Sequence, residues 1–287
     1  MNTWNPSPQY QKIARANQQY YAKTAHLYDQ TETCATNVIL QQHLERDLDD
    51  VLRLIGKPYH TIEALDACGG SGNVSIKLLR RGVTTITCDI SIEMLKICRD
   101  RCIAEDLPFR VVCAEIAGFL EATPRRFDLI VFSSALHHLE DIDGVLNLAI
   151  RSLKPGGVIF STFDPSAHLP RYVHWITWLD YVWFKIFCQP TDVKAAVIRR
   201  LRRTLGQVSS KDQADLADEN LGYLAEYHVE HGIDDRALVE RLRARGVEIV
   251  RHEREAGARF ALTRAMLRAL GVTTTFKMVL RVPEQGR

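Results

Sequence analysis

The chain has 287 residues, 46% apolar and 25% charged, an ordinary globular balance with enough apolar residues for a sizeable core. Its formal net charge of +2 is nearly neutral, whereas a chain that tracks nucleic acid carries a more basic face. No apolar run reaches about 18 residues, so no spanning helix is expected. Residues 1–30 lack a basic stretch followed by an apolar one, so no signal peptide is expected either.

In chain order, residues 1–60 read as a helical lead-in: a polar, aromatic-dotted start, then an amphipathic stretch from Asn37 to Ile55. From Thr61 short apolar runs alternate with helical patterns. Strands are predicted at Thr61–Asp66, Thr84–Asp89, Phe109–Ala114, Asp128–Phe132 and Gly157–Asp164, with helices at Gly72–Arg81, Ile92–Glu105 and Asp143–Leu153. Lys154-Pro155-Gly156-Gly157 supplies a turn before the fifth strand. The alternation stops after Asp164 and resumes near Ile233, with a helix at Asp235–Arg245 and strands at Val247–His252 and Thr274–Val282. Such alternation implies a mostly parallel sheet covered on both faces, with residues 166–232 inserted as a helical cap. The organisation is then a lead-in over 1–60, an α/β core over 61–165 and 233–287, and the cap between them.

The seven cysteines are scattered: Cys34, Cys68, Cys88, Cys98, Cys102, Cys113 and Cys188. Cys98 and Cys102 share one helix face but have no clear second pair, so they read as packed or free thiols and no metal site is expected. A reduced cytoplasmic setting fits.

The most informative stretch is Glu63-Ala-Leu-Asp-Ala-Cys-Gly-Gly-Ser-Gly-Asn73. A strand ends at Asp66, then Gly69, Gly70 and Gly72 let the backbone turn sharply and approach a ligand at a helix N-terminus. A second acid, Asp89, ends the next strand, where an acid holds ribose hydroxyls in such folds. Dinucleotides and S-adenosylmethionine share this logic but differ in charge. Asp66 repels a pyrophosphate and suits an ammonium or sulfonium. The dinucleotide pattern is also imperfect, since Gly70-Ser-Gly72-Asn-Val74 runs on to Ser75.

Leu65–Gly72 resembles the first motif of class I S-adenosylmethionine-dependent methyltransferases. Asp89-Ile-Ser-Ile-Glu-Met-Leu95 is similar to their second motif. Phe127–Glu140 resembles their fourth strand and its loop, and Leu153–Gly157 the turn before the fifth strand. The resemblance implies a doubly wound, Rossmann-like seven-stranded sheet and S-adenosylmethionine as cofactor. It implies cofactor contacts from Asp66, Ala67, Cys68, Gly69, Gly70, Gly72, Asp89, Ile90, Met94, Glu115, Ile116 and Ser133, with Tyr20 and Tyr28 in a segment closing over it. Cys68 departs from the pattern, because the family's first motif glycine normally stands there; aromatic packing is the alternative for each tyrosine.

His137 and His138 follow the fourth strand, where a transferred methyl group should point, and Asp164 ends the fifth. An imidazole accepts a proton near neutral pH, so either histidine suits a general base, with Asp164 orienting one; a purely structural role for the pair stays open. This His-His-Asp set resembles that of some small-molecule O-methyltransferases. Tyr227-His-Val-Glu-His231 forms a second cluster, suited to an exposed pair or an acceptor-facing one. The segment 169–187 holds three of the four tryptophans, suited to an aromatic wall over the acceptor, to packing on the sheet or a second subunit as a homodimer, or to a membrane surface. The basic run Arg199–Arg203 reads as a solvated face, with contact to a phosphate or carboxylate of the acceptor as the alternative. The expectation is therefore methyl transfer to a small-molecule acceptor, most naturally at oxygen, with neither nucleic acid nor membrane insertion. A nicotinamide-dependent oxidoreductase and a non-catalytic S-adenosylmethionine-binding partner are the competing readings.

Overall fold

The computed structural model describes residues 4–31, 37–167 and 231–283, Arg259 excepted, and from the intervening segment residues 169, 173, 175–176, 179–180, 182–183, 221–222, 224–225 and 227–228. The basic run at 199–203, the acids from Asp212 to Glu219, Trp178, Cys34 and Cys188 lie outside the described residues.

Two helices lead in: α1, Pro8–Thr31, and α2, Val38–Ile55. Asn37 caps α2 by accepting from the amides of Ile39 and Leu40 (3.1 and 3.2 Å), and Gly56, at φ 68°, ends it. Then follow β1 (Glu63–Ala67), α3 (Asn73–Arg80), β2 (Thr84–Asp89), α4 (Ile92–Ala104), β3 (Val111–Cys113), α5 (Ile116–Ala122), β4 (Phe127–Ser133), α6 (Ile142–Arg151) and β5 (Leu153–Pro165). After the insertion come α7 (Asp235–Ala244), β6 (Glu248–Glu255), α8 (Ala261–Ala269) and β7 (Thr275–Arg281).

The seven strands are ordered β3-β2-β1-β4-β5-β7-β6. β1 to β5 pair in parallel, and β7 runs antiparallel between β5 and β6. Both faces are dry, as a parallel sheet requires. Along β4, Leu129 and Val131 join Leu48, Leu52, Val74 and Phe160 on one face. Ile130 and Phe132 join Leu65, Leu146, Ile159 and Met278 on the other. The strand order reverses between β1 and β4, so their carboxyl ends open a crevice there.

Three sequence expectations change. The turn at Lys154–Gly157 is absorbed into β5, where Phe127 pairs with Leu153 but Leu129 already pairs with Val158, so the extra residues bulge out. Helices α5 and α8 were not expected; each is short, and α8 buries only Arg264 and Leu267. The third strand is shorter than Phe109–Ala114 because it lies at the sheet edge. Described residues from 173 to 183 are helical, and Val173 packs with Ala256, Leu267 and Val272. No helix among the described residues is long and apolar enough to cross a membrane.

At the opposite end of the central strands, Asp128 is 2% exposed and joins three elements. It accepts from the Glu63 amide (2.9 Å), from Lys57 (2.6 Å) and from Lys154 (2.9 Å). Burial raises its pKa, but these donors outweigh it and hold the carboxyl below its usual range. Its contribution is complete above the ordinary carboxylate range and is lost as pH falls through the depressed value. Both lysines are partly exposed, which reduces the gain. Asp128→Ala is expected to lower unfolding free energy by about 2 kcal/mol at neutral pH, read from urea denaturation; an unchanged midpoint contradicts this.

Candidate functional site

The crevice is built around the bend between β1 and α3. Asp66, 1% exposed, ends β1 and turns its carboxylate onto α3. Its Oδ2 accepts from the Ser75 amide (2.9 Å) and hydroxyl (2.7 Å). Asp89 ends β2 and braces the bend from the other side: Oδ2 accepts from the Gly70 amide (2.9 Å) and Oδ1 from the Ser91 amide (2.8 Å). Burial pushes both carboxyls up to about 6, more than their hydrogen bonds pull them down. Each carboxylate has further lone pairs for a ligand.

Gly69 is required by close approach. A Cβ there would lie 2.6 Å from Thr87 Cγ2 and 2.7 Å from the Asp66 carboxylate. Gly72 combines φ 83° with a Cβ position 2.5 Å from Cys98 Sγ. Cys68 stands where a glycine is usual and keeps a glycine's conformation, at φ 56°. The cysteine therefore carries backbone strain that a glycine there would not. Burial, reinforced by Asp89 and neighbouring thiols and carboxylates, raises its pKa well above the ordinary thiol range, so it presents a neutral wall.

Two adjoining cavities share Tyr28, Cys68 and Gly70. The larger, about 710 Å³ of empty space, is lined by Asp89, Ile90, Met94, Ala114, Glu115 and Ile116 at the sheet edge, and by α1 across from it. The smaller, about 350 Å³, is bounded by Asp66, Gly69, Ser71, Asn73 and Ser133. Ala67 and Gly72 support the bend without lining either cavity, and Tyr20 lies against Gly222 instead. Glu115 caps α5 through the amides of Ala117 (2.8 Å) and Gly118 (2.9 Å) and also accepts from the Tyr10 hydroxyl.

Tyr28, expected from the sequence, faces the larger cavity; the rest of the α1 wall, Tyr10, Ile13, Ala14, Asn17 and Tyr21, was not expected there. Their spacing is that of one helix face, a signal present in the sequence but obscured by the polar residues between them. Asn17 Nδ2 also donates to the His138 carbonyl (3.2 Å), tying α1 to the loop after β4.

That loop separates the two histidines. His138 lines the larger cavity; His137 does not and is 5% exposed. His137 is held by Asp164, whose Oδ1 lies 2.8 Å from Nδ1 and accepts from the His137 amide at 3.2 Å. Asp164 is aimed by a bulge: the β5–β7 register shifts between Ser161 and Asp164, and Phe163 takes φ 64°. The two imidazoles touch, tilted at 47° with 3.9 Å between centroids. His138 Nδ1 lies 2.8 Å from the Ala225 carbonyl, which requires the proton on Nδ1. In the neutral ring Nε2 then carries the lone pair, 3.3 Å from the Tyr21 hydroxyl.

The second histidine cluster divides. His228 has a buried Nε2 without a partner among the described residues and donates its amide to the His137 carbonyl at 2.9 Å, whereas His231 is exposed. Glu230 lies outside the described residues. Among the described residues no group of three His, Cys, Asp or Glu side chains could hold a metal. Cys68, Cys88, Cys98, Cys102 and Cys113 are free thiols. Trp175 and Trp183 line neither cavity.

Sheet order, bend and paired acids define a Rossmann-like cofactor-binding domain. Known proteins narrow this. A family profile described as a methyltransferase domain matches residues 64–157. The chain is 33% identical over 182 residues to the tRNA 5-carboxymethoxyuridine methyltransferase of Escherichia coli (strain K12), covering 61% of this chain and 63% of that protein. It is 30% identical over 127 residues to the ubiquinone biosynthesis O-methyltransferase of Pseudomonas entomophila (strain L48), covering 42% of this chain and 52% of that one. The chain thus spans less than two thirds of the length of these relatives. Its fold resembles magnesium protoporphyrin IX methyltransferase from Synechocystis PCC 6803, solved with bound SAH, at TM-score 0.56 and 12% identity over 94% of this chain and 99% of that one. Residues 64–157 are thus similar to a methyltransferase domain, on the Rossmann-like fold shared with a protein solved with bound SAH.

Cys68→Gly is expected to preserve or raise the melting temperature, because it relieves the left-handed strain. Cys68→Val is expected to cost about 1–2 kcal/mol. Thermal unfolding of the two variants checks this; equal destabilisation by both would mean that the conformation at 68 carries no strain.

Proposed function

We propose that the chain transfers a methyl group from S-adenosylmethionine to a small-molecule acceptor, at oxygen, with His138 as general base. The observation that carries this reading is a pair of carboxylates, Asp66 buried and Asp89 partly buried, flanking a bend that approaches Asp66 too closely for any side chain at Gly69. Asp66, Cys68, Gly69, Gly70 and Ser133 suit the amino-acid end of the cofactor. Asp89 suits the ribose hydroxyls, and Ile90, Met94, Ala114 and Ile116 offer adenine an apolar slot. Glu115 is already committed to capping α5, so its part is to shape that slot. Residues 1–60 then cover the cofactor through Tyr21 and Tyr28 rather than Tyr20, over a core of 61–165 and 233–287, and residues 166–232 cap the acceptor side. Free thiols suit a cytoplasmic enzyme.

When bound, S-adenosylmethionine supplies an activated methyl group on a cationic sulfur. The protein's part is to exclude water, align the acceptor and take up its proton. His138 Nε2 is suited to receive the proton of an acceptor hydroxyl, since the Ala225 carbonyl holds the proton on the other nitrogen. His137 and Asp164 lie behind it as a rigid support. A second reading, a nucleic-acid acceptor, has one observation in its favour: the match to a tRNA methyltransferase. Transfer of labelled methyl to a panel of hydroxyl compounds and, separately, to bulk tRNA decides between them. Labelling of tRNA alone would overturn the small-molecule reading.

His138→Ala is expected to lower kcat by about 10²–10⁴-fold while cofactor affinity stays within about twofold. Unchanged turnover would remove His138 from the reaction.

Asp66 and Asp89 also predict a pH dependence. Both are protonated in the free protein below about 6 and ionised above it. A cationic cofactor favours the ionised forms, so affinity is expected to be flat above about pH 7 and to fall below 6, by up to about tenfold per pH unit for each acid. Without cofactor the sign reverses: the native carboxyls bind protons more tightly than unfolded ones, so stability declines as pH rises from about 4 through 6. Calorimetry in buffers of different ionisation enthalpy checks this, with proton release on binding at about pH 5.5 and little at about pH 8. Identical proton release at both contradicts it.

A further inference from the structure

One carboxylate in the larger cavity has no task in the scheme above. The cavity that contains the apolar slot of Ile90, Met94, Ala114 and Ile116 is lined by two glutamates, Glu115 at the start of α5 and Glu140 in the loop after β4.

Helix α1 shows where along the cavity each glutamate lies. Tyr10 marks one end. Its hydroxyl donates to Glu115, and its amide donates to the Ser7 hydroxyl (2.9 Å), which itself donates to Glu140 (3.3 Å). Tyr21 marks the other end, with its hydroxyl 3.3 Å from His138 Nε2. The helix rises about 16 Å between the two tyrosines. Glu140 therefore belongs with Glu115 at the slot, although in sequence it stands only two positions from His138.

The two glutamates differ in what they have left to offer. Glu115 Oε1 accepts from Tyr10 and from the Ala117 amide, and Oε2 accepts from the Gly118 amide. These bonds fix it to the first turn of α5. Among the described residues Glu140 accepts only the Ser7 hydroxyl, beyond the usual O–H···O range. A carboxylate has about four acceptor positions and no donor, so Glu140 faces the cavity able to take further donors and nothing else. A bound adenosyl group presents two kinds of donor, the ribose hydroxyls, suited to Asp89, and the exocyclic amino group of the base. The ring nitrogens of adenine are acceptors, which a carboxylate repels.

We propose that Glu140 accepts a hydrogen bond from the adenine amino group and so selects adenine over other bases, with Glu115 as the rigid wall beside it. The assignment rests on the reading that the crevice takes S-adenosylmethionine. It gives the loop after β4 a role in choosing the cofactor as well as in supplying His138.

The test is calorimetry of the full chain with S-adenosylhomocysteine and with S-inosylhomocysteine, in which a carbonyl oxygen replaces the amino group. Wild type should bind the adenosyl compound at least about tenfold tighter, because the carboxylate otherwise meets an acceptor. Glu140→Gln has a side-chain amide that donates to the carbonyl oxygen, so it should gain affinity for the inosyl compound and bring the two within about threefold. A variant that only lost its fold would weaken both ligands. Glu140→Ala should lose the preference by weakening the adenosyl compound alone. Glu115→Gln should lower the melting temperature and weaken both ligands alike, with their ratio kept. Equal binding of the two compounds by wild type would overturn the proposal. So would an unchanged ratio in either Glu140 variant at native melting temperature, or a ratio lost only in Glu115→Gln. Absence of any S-adenosylhomocysteine binding would overturn the cofactor reading itself, and this assignment with it.

Discussion

Two carboxylates at the ends of adjacent strands, Asp66 buried and Asp89 partly buried, organise everything at the crevice. Asp66 and Asp89 receive the backbone and hydroxyl donors of the bend between them, from Gly70, Ser75 and Ser91. Raising each from 3.8 to about 6 corresponds to roughly 3 kcal/mol of disfavoured charge. A cationic ligand offsets that cost, and a pyrophosphate would add to it. The same burial that makes the free site uncomfortable therefore selects the sign of its ligand.

The backbone stores strain in the same neighbourhood. Among the described residues, four non-glycine residues have positive φ: Cys68, Asp106, Ser134 and Phe163. Cys68 and Ser134 line the larger cavity, and Phe163 directly precedes Asp164, the partner of His137. Only Asp106, in the turn after α4, stands apart. Conformations of this kind persist where surrounding structure over-determines them, and they cluster at working sites. Here the surroundings are the dry strands β1, β4 and β5, stiff enough to hold a bent loop at each carboxyl end.

Much of this was legible in the sequence because the signals were local. The central strands announced themselves as short apolar runs ending in Asp66 and Asp89, and helix ends fell within a residue or two of their caps. What was hidden depended on distance along the chain. Tyr10, Ile13, Asn17 and Tyr21 meet the cavity only because α1 folds across residues more than forty positions away. The division of labour between His137 and His138 depends on a bulge at Phe163 and on the carbonyl of Ala225, neither of which a motif encodes. Cys68 looked like a defect in the glycine pattern, and proved to be a side chain forced into a glycine's conformation. Helix α8 was missed because it is short and buries only Arg264 and Leu267.

Fold alone does not fix chemistry, so the account rests on the charge preference of the crevice. Isothermal calorimetry of the purified chain with S-adenosylmethionine and, in parallel, with NAD measures that preference directly. Saturable one-to-one binding of S-adenosylmethionine with no heat from NAD is the predicted result. Binding of NAD, or no binding of S-adenosylmethionine at neutral pH, would contradict it.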